Sequence, residues 1–127
     1  MTEREPRKRI LIAEDDDAIA TLLVRTLSLD HEVTLARNGH EALQMATKLR
    51  PDLFVFDIMM PGMDGLQVSR LVRKVEGLGK IPIVFVTAKD RPADVIKGIQ
   101  HGARHYITKP FKLADVREKI AKIFKGG

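Results

Sequence analysis

Short apolar runs alternate with amphipathic segments along this chain. Three of the runs are nearly continuous in β-branched and aromatic residues, as strands buried on both faces of a sheet require. Two others mix polar and apolar positions, which is typical of strands nearer a sheet edge. The five predicted strands are β1 (9–13), β2 (32–36), β3 (53–56), β4 (83–86) and β5 (105–108).

The segments between these strands carry apolar residues at helical spacing, such as Leu22, Leu23 and Leu27 after β1. Pro92 and Gly102 stand where a helix commonly begins and ends. The predicted helices are α1 (19–27), α2 (42–49), α3 (66–75), α4 (93–101) and α5 (113–124).

This strict alternation of strands and helices predicts an α/β domain. Right-handed crossovers place such strands in one parallel sheet with helices on both faces, in three layers. A chain of 127 residues allows one domain of ordinary size. We expect that domain at residues 9–125, after a charged flexible arm at 1–8 and before a flexible end at 126–127.

The composition excludes several classes of protein. Hydrophobic residues make up 44% of the chain and charged residues 31%, which favours a folded domain over a disordered tail. The absence of cysteine excludes a disulfide framework, a thiolate metal site and a thiol nucleophile. No apolar run approaches the roughly 18 residues of a membrane span, and the charged start lacks the apolar core of a secretory signal. We therefore expect a cytoplasmic protein that does not act on a membrane.

The net charge of +5 is distributed unevenly. Residues 1–64 contain 12 acids and 8 bases, whereas residues 65–127 contain 5 acids and 14 bases. This asymmetry predicts an acidic site early in the chain and a basic surface late in it.

Acidic side chains and a lysine follow the predicted strands at their carboxyl ends, where open parallel sheets bind ligands. The run Glu14 to Asp17 follows β1, Asp57 follows β3, Thr87 follows β4 and Lys109 follows β5. Crowded carboxylates repel one another unless a hard cation neutralises them, and Mg²⁺ prefers oxygen ligands. The pattern therefore predicts a magnesium site at this edge.

The other groups at this edge suit an anionic ligand such as a phosphoryl group. Thr87 offers a hydroxyl and Lys109 an ammonium, and Asp57 could serve as a phosphoryl acceptor. An acidic run can also be no more than a solvated helix N-terminus. Asp57 is harder to explain in that way, because it follows a buried run in which an unpaired carboxylate would cost several kcal/mol.

At this point the motifs taken together resemble the receiver domains of two-component response regulators, including the chemotaxis response regulators. The resemblance covers residues 9–124 and implies a flavodoxin-like, doubly wound sandwich with strand order 2-1-3-4-5 and five helices. The motifs that carry it are Glu14-Asp15, Asp57 to Gly65 (DIMMPGMDG), Thr87-Ala88 and Lys109-Pro110.

The resemblance implies that Asp57 accepts a phosphoryl group from a phosphohistidine on a sensor histidine kinase or a histidine phosphotransfer protein. It further implies Mg²⁺ held by Asp15, Asp57 and the main-chain carbonyl of Met59, with Glu14 acting through water. Lys109 and Thr87 would contact the phosphoryl oxygens, and the Lys109-Pro110 peptide would be cis. Such a domain is a phosphoacceptor that assists its own phosphotransfer and autodephosphorylation, and it is not an enzyme in the ordinary sense.

The resemblance also implies a switch in which Thr87 moves toward the phosphate and Tyr106 turns inward. The output surface would be the α4-β5-α5 face, used for a downstream effector or for self-association. Basic residues expected on that face predict an acidic partner; they are Lys97, Arg104, Lys112, Arg117, Lys119 and Lys122. Met59 and Lys89 stand at positions that tune hydrolysis in the family, and an apolar Met59 predicts a long-lived phosphate.

Two hypotheses from other classes remain open. A metal-dependent phosphatase with an aspartate nucleophile would also place acids such as Asp15 and Asp17 after an apolar strand. A nucleic-acid module would use the basic residues of α5. No recognition motif accompanies those charges, so a solvated helix face explains them more simply and direct nucleic-acid binding is not expected.

Overall fold

The computed structural model describes residues 7–88 and 105–126. Its strands pair in parallel in the order β2-β1-β3-β4-β5, which confirms the predicted doubly wound sheet. The strands are β1 Arg9–Ala13, β2 Glu32–Ala36, β3 Leu53–Asp57, β4 Ile83–Ala88 and β5 His105–Lys109.

Four of the five predicted helices fall within the described residues, and the segment predicted as α4 (93–101) lies outside them. Helices α1, α2 and α3 begin earlier than the apolar spacing indicated because the side chains of Asp16, Asn38 and Asp64 cap their N-termini, whereas α5 begins where predicted. They have 9 to 12 residues, and among the described helices none is long and apolar enough to cross a membrane. The helices are α1 Asp17–Leu27, α2 Gly39–Leu49, α3 Gly65–Arg73 and α5 Leu113–Phe124.

The sheet separates two apolar layers, because successive side chains of a strand point to opposite faces. Phe54, Phe56 and Phe85 pack with residues of α2 and α3 on one face. Val55 and Val84 pack with residues of α1 and α5 on the other face. The three-layer arrangement predicted from the alternation is therefore confirmed.

The winding gives the sheet two chemically different edges. All five strands end at one edge, here called the carboxyl edge, and begin at the opposite edge, the amino edge. The helices connect parallel strands, so they run back and end at the amino edge. Residues that follow a strand therefore meet at the carboxyl edge, and residues that close a helix meet at the amino edge.

Candidate functional site

Three carboxylates meet at the carboxyl edge. One oxygen each from Glu14, Asp15 and Asp57 lies within 4.8 Å of the other two. Strands β1 and β3 are neighbours with Ala13 opposite Phe56, so the residues that follow are brought side by side. Glu14 and Asp57 are 0% and 3% exposed, whereas Asp15 is more open to solvent. The predicted acidic cluster therefore forms, and two of its members are buried.

Glu14 shows how strongly this cluster requires positive charge. Its Oε2 accepts a hydrogen bond from the backbone N–H of Asp16 at 3.2 Å. Its Oε1 is buried and accepts no hydrogen bond from any residue that the structure describes. Burial, together with the neighbouring Asp57 carboxylate, raises the pKa of Glu14 to about 8. An oxygen-seeking cation would supply what this carboxylate lacks.

Asp57 is the last residue of β3 and is held by two contacts. Its Oδ1 accepts a hydrogen bond from the backbone N–H of Met59 at 3.1 Å. Its Oδ2 lies 3.4 Å from Nζ of Lys109. The start of α3 passes so close behind it that a Cβ on Gly65 would collide with the carbonyl oxygen of Asp57. Gly65 thus lets the helix pack against the strand end that presents the carboxylate.

Lys109 ends β5 and reaches back to the cluster. Its Nζ lies 3.4 Å from Oδ2 of Asp57 and 3.4 Å from Oε1 of Glu14. The Lys109-Pro110 peptide is cis, as the resemblance implied. One ammonium group therefore faces both buried carboxylates.

Thr87 lies on β4 at the same edge, one residue beyond Val86, which pairs with Asp57 in the sheet. It is 1% exposed, and its hydroxyl donates a long hydrogen bond of 3.4 Å to the carbonyl oxygen of Ala88. The predicted phosphoryl-binding hydroxyl is thus on the strand next to Asp57, and a weak local bond holds it.

Tyr106 lies on the same face of the sheet as Thr87. It pairs with Phe85 across β4 and β5, and the two ring centroids are 6.2 Å apart with the planes at 29°. Phe85 and Thr87 are two residues apart on β4, so their side chains point to one side. Burial raises the pKa of the Tyr106 phenol. The predicted switch pair therefore shares one face of the sheet.

The acidic run after β1 divides between two roles. Asp16 caps α1 by accepting a hydrogen bond from the N–H of Ile19 at 3.1 Å, and Asp17 forms an ion pair with Arg37. The helix N-terminus explanation therefore holds for these two residues, and Glu14 and Asp15 remain the candidates for the metal site.

Arg37 was not singled out in the sequence. It also donates to the carbonyl oxygen of Asp15 at 3.1 Å. The sequence feature that could have identified Arg37 as a neighbour of the acidic run is its position directly after β2, the strand beside β1.

One of the basic residues expected on the output face lies elsewhere. Arg117 donates two hydrogen bonds, of 2.9 and 2.8 Å, to the carboxylate of Asp30 in the turn after α1. These bonds hold the pKa of Asp30 below its usual value. The assignment of Arg117 to the α4-β5-α5 face was wrong, because Arg117 lies on the side of α5 that meets the α1–β2 turn. Lys97, Arg104 and Lys89 lie outside the described residues.

Comparison with known proteins gives one family. Residues 10–121 match the family described as the response regulator receiver domain. The chain is 36% identical over 119 residues to the transcriptional regulatory protein AfsQ1 of Streptomyces coelicolor, covering 93% of this chain and 52% of that protein. It is 38% identical over 118 residues to the DNA-binding response regulator MtrA of Mycolicibacterium smegmatis, covering 92% of this chain and 49% of that protein. The chain thus spans about half the length of these relatives.

Solved structures show the same architecture. The chemotaxis protein CheY4 of Vibrio cholerae superposes with a TM-score of 0.86 at 28% identity, covering 92% of this chain and 98% of that one. The receiver domain of the Francisella response regulator 1452 gives a TM-score of 0.83 at 28% identity, covering 94% and 98% of the two chains. Both likenesses extend over nearly the whole chain.

Proposed function

Because this chain belongs to the response regulator receiver domain family, whose members are signalling domains of two-component systems, we propose that it is a phosphorylation-dependent switch with Asp57 as its phosphoacceptor. The phosphodonor would be a phosphohistidine on a sensor histidine kinase or a histidine phosphotransfer protein. The proposed domain spans residues 9–125 and acts in the cytoplasm.

The surroundings of the Asp57 side chain support its role as the phosphoacceptor. The carboxylate is 3% exposed, with Lys109 3.4 Å from one of its oxygens. A carboxylate oxygen there can attack phosphorus, so that a P–O bond forms while the bond from phosphorus to the donor nitrogen breaks and the imidazole leaves. Lys109 and Thr87 are placed at the same edge to hold the transferred oxygens, which lowers the energy of the charge that develops.

The donor set suits a divalent cation. Glu14, Asp15 and Asp57 provide three carboxylates within 4.8 Å, and one buried oxygen of Glu14 has no hydrogen bond within the described part of the chain. We propose that these three and the carbonyl of Met59 hold Mg²⁺, with Glu14 acting through water. When bound, the ion would neutralise charge on the transferring phosphoryl oxygens.

The output of the switch is proposed to run from Thr87 through Tyr106 to the α4-β5-α5 face, toward an effector protein or a second copy. Tyr106 supports this because it lies beside Phe85 on the face that carries Thr87. Lys112, Lys119 and Lys122 remain candidates for binding an acidic partner there. Autodephosphorylation, assisted by the same site, would end the signal.

The proposal is tested by phosphorylating the purified chain with acetyl phosphate and Mg²⁺ and measuring its intact mass. We expect the mass of one phosphate to be added to the wild type and to Asp115→Ala, since Asp115 lies in the first turn of α5. Asp57→Ala should add none. Stoichiometric labelling of Asp57→Ala would show that another residue is the acceptor.

The same samples separate a switch from an aspartate-dependent phosphatase. A switch is labelled once per molecule and then decays, whereas a phosphatase releases phosphate from an ester such as p-nitrophenyl phosphate in steady turnover. We expect no turnover above that of the Asp57→Ala variant.

A further inference from the structure

The amino edge, opposite the acidic site, carries a row of arginines that the proposed function does not use. The row consists of Arg7, Arg9, Arg50 and Arg73, and the first three are exposed. Their guanidinium groups donate to backbone carbonyl oxygens of the turns at this edge. For the three exposed arginines, Arg7, Arg9 and Arg50, these bonds fix the guanidinium groups without supplying a full negative charge.

The hydrogen bonds place the four residues in order across the sheet. Arg7 donates to the carbonyls of Ser28 and His31, in the turn before β2, at 2.5 and 2.7 Å. Arg9 begins β1 and donates to the carbonyl of Leu49, the last residue of α2, at 3.3 Å.

Arg50 and Arg73 continue the row toward β4. They donate to the carbonyls of Glu76 and Gly79, in the connection before β4, at 3.3 and 2.8 Å. Neighbouring strands lie about 4.8 Å apart, so a row that passes from β2 to β4 is roughly 15 Å long. The arginines therefore form a line and not a compact cluster.

Arg50 adopts a backbone conformation that its own side chain disfavours. It closes α2 with φ of 47° and ψ of 66°, the left-handed region in which glycine is usual. The connection before β4 accommodates its side chain, since a Cβ on Gly77 would collide with Nη1 of Arg50. A strained residue retained where glycine fits better points to a use for its side chain.

The rest of the amino edge is also mainly basic. Exposed lysines flank the row at Lys8, Lys48, Lys74 and Lys80. Several of the bases lie where helices end, so part of this charge compensates the helix dipoles. Four carboxylates also lie at this edge. Asp30 is bonded to Arg117, Asp52 accepts the backbone N–H of Arg9 at 2.8 Å, Glu32 begins β2, and Glu76 precedes β4. Positive charge therefore exceeds negative charge along the line.

We propose that the amino edge binds the phosphate backbone of duplex nucleic acid, without sequence preference. A duplex presents one charge about every 3.4 Å along each strand, so a row of roughly 15 Å can meet three or four phosphates. Guanidinium groups match phosphate oxygens in pairs. Backbone binding needs no recognition motif, so the lack of one in the sequence does not oppose it.

A membrane surface fits this edge less well. An anionic bilayer would favour a broad basic face with several apolar side chains to insert. Among the described residues of this edge, Leu29 is the one large hydrophobic side chain that is strongly exposed, at 64%. A linear array of fixed charges suits a linear polyanion better.

The experiment measures anisotropy of a fluorescent 30-base-pair duplex of random sequence, titrated with the full chain from low to physiological salt. We expect the logarithm of the association constant to fall linearly with the logarithm of the salt concentration. The slope should be roughly −3, as three or four neutralised phosphates require. Arg50→Glu should reduce the magnitude of that slope by about 1 or more and weaken binding severalfold.

The matched control is Lys112→Glu, which makes the same change in net charge at the exposed N-cap of α5, on the carboxyl edge. It should bind the duplex nearly as the wild type does. Arg50→Gly relieves the left-handed backbone strain, so it should keep the thermal midpoint while losing binding. That combination separates a binding role from a merely structural clamp.

Three results would overturn the proposal. Equal losses in Arg50→Glu and Lys112→Glu would show that net charge alone drives binding. If Arg50→Gly binds the duplex as tightly as the wild type, the arginines of this row have only a structural role. Sedimentation with phosphatidylserine vesicles in the absence of duplex binding would assign the edge to a membrane. None of these outcomes bears on labelling of Asp57, so the proposed function is tested separately.

Discussion

Lys109 follows Asp57 by 52 residues in the chain, and its ammonium nitrogen lies 3.4 Å from Oδ2 of that aspartate. The same nitrogen lies 3.4 Å from Oε1 of Glu14, whose carboxylate is fully buried. A single ammonium group therefore faces two buried acids in the absence of metal. This contact links the end of β5 to the ends of β1 and β3.

Lys109→Ala should lower the free energy of unfolding of the metal-free chain by about 1 to 3 kcal/mol, because it leaves the buried Asp57 carboxylate without its cation. Mg²⁺ should restore part of that loss, since the carboxylates remain. Urea unfolding with and without Mg²⁺ measures both effects. A variant as stable as the wild type in EDTA would mean that Lys109 does not compensate the charge of Asp57.

Asp15→Asn should weaken Mg²⁺ binding, unlike Lys109→Ala. It removes one of three clustered carboxylates, so Mg²⁺ affinity and labelling by acetyl phosphate should fall together. Lys109→Ala should keep its metal affinity and lose only labelling rate. Calorimetric titration with Mg²⁺ compares the two variants, and unchanged affinity in Asp15→Asn would move the metal site elsewhere in the acidic run.

Gly65→Ala should damage the site through the backbone. Its methyl group would meet the carbonyl of Asp57 and lie 3.1 Å from Cα of Ile58, so the strand end or the start of α3 must shift. We expect a loss of roughly 2 kcal/mol in unfolding free energy together with slower labelling. The control is Gly62→Ala, which has φ of 76° but no atom within 4 Å of the added Cβ, and should cost only about 1 kcal/mol. Equal behaviour of the two variants would contradict the close approach.

The acyl phosphate should be long-lived. The side chain of Met59 stands two residues after Asp57, is 48% exposed and has no group that could orient an attacking water. We expect decay over minutes to hours after removal of the donor. Met59→Asn should shorten that lifetime and Met59→Leu should not, as followed by intact mass. Decay of the wild type within seconds would mean that another residue positions the water.

Tyr106→Ala should separate phosphorylation from output. The ring lies beside Phe85, and the clustered carboxylates come from the ends of other strands, so labelling of Asp57 should be unchanged. Phosphorylation-dependent self-association or partner binding should be lost, whereas Tyr106→Phe should keep most of it. Sedimentation with and without a phosphoryl mimic tests this, and unaffected association in Tyr106→Ala would place the output on another face.

His31 should make the fold sensitive to acid. Its ring packs against Phe124 at a centroid distance of 5.0 Å, and burial, with the charges of Arg7 and Arg117, lowers its pKa below 6.5, partly offset by Asp30. A histidine with a lowered pKa favours the folded state above pH 6.5, and this contribution is lost as the pH falls below that value. The effect should stay under about 1 kcal/mol because the ring is partly solvated. The free energy of unfolding, measured in urea from pH 8 to 5, should therefore fall less steeply for His31→Gln than for the wild type. Parallel curves for the two proteins would contradict this role of His31.

The sequence by itself determined the fold class and much of the site. Strands such as 53–56 are apolar on both faces, which only a sheet covered on both sides permits, and the alternation with helices then requires parallel pairing. Parallel pairing in turn brings Asp15, Asp57 and Lys109 to one edge, wherever they stand in the chain. Local spacing was less informative at the helix starts, where capping by Asp16 and Asn38 overrode the apolar pattern.

Only the tertiary structure decided how the charges are grouped. Counting along the chain divided acids from bases at about residue 64, whereas the fold gathers three carboxylates at the carboxyl edge and several bases at the amino edge. The physical reason is that each helix runs opposite to its strands, so bases at helix ends collect at the amino edge although they are far apart in sequence. For the same reason Arg117 meets Asp30, 87 residues away, and Arg50 reaches the carbonyl of Glu76. Such pairs depend on distances in space that no periodicity of the sequence encodes.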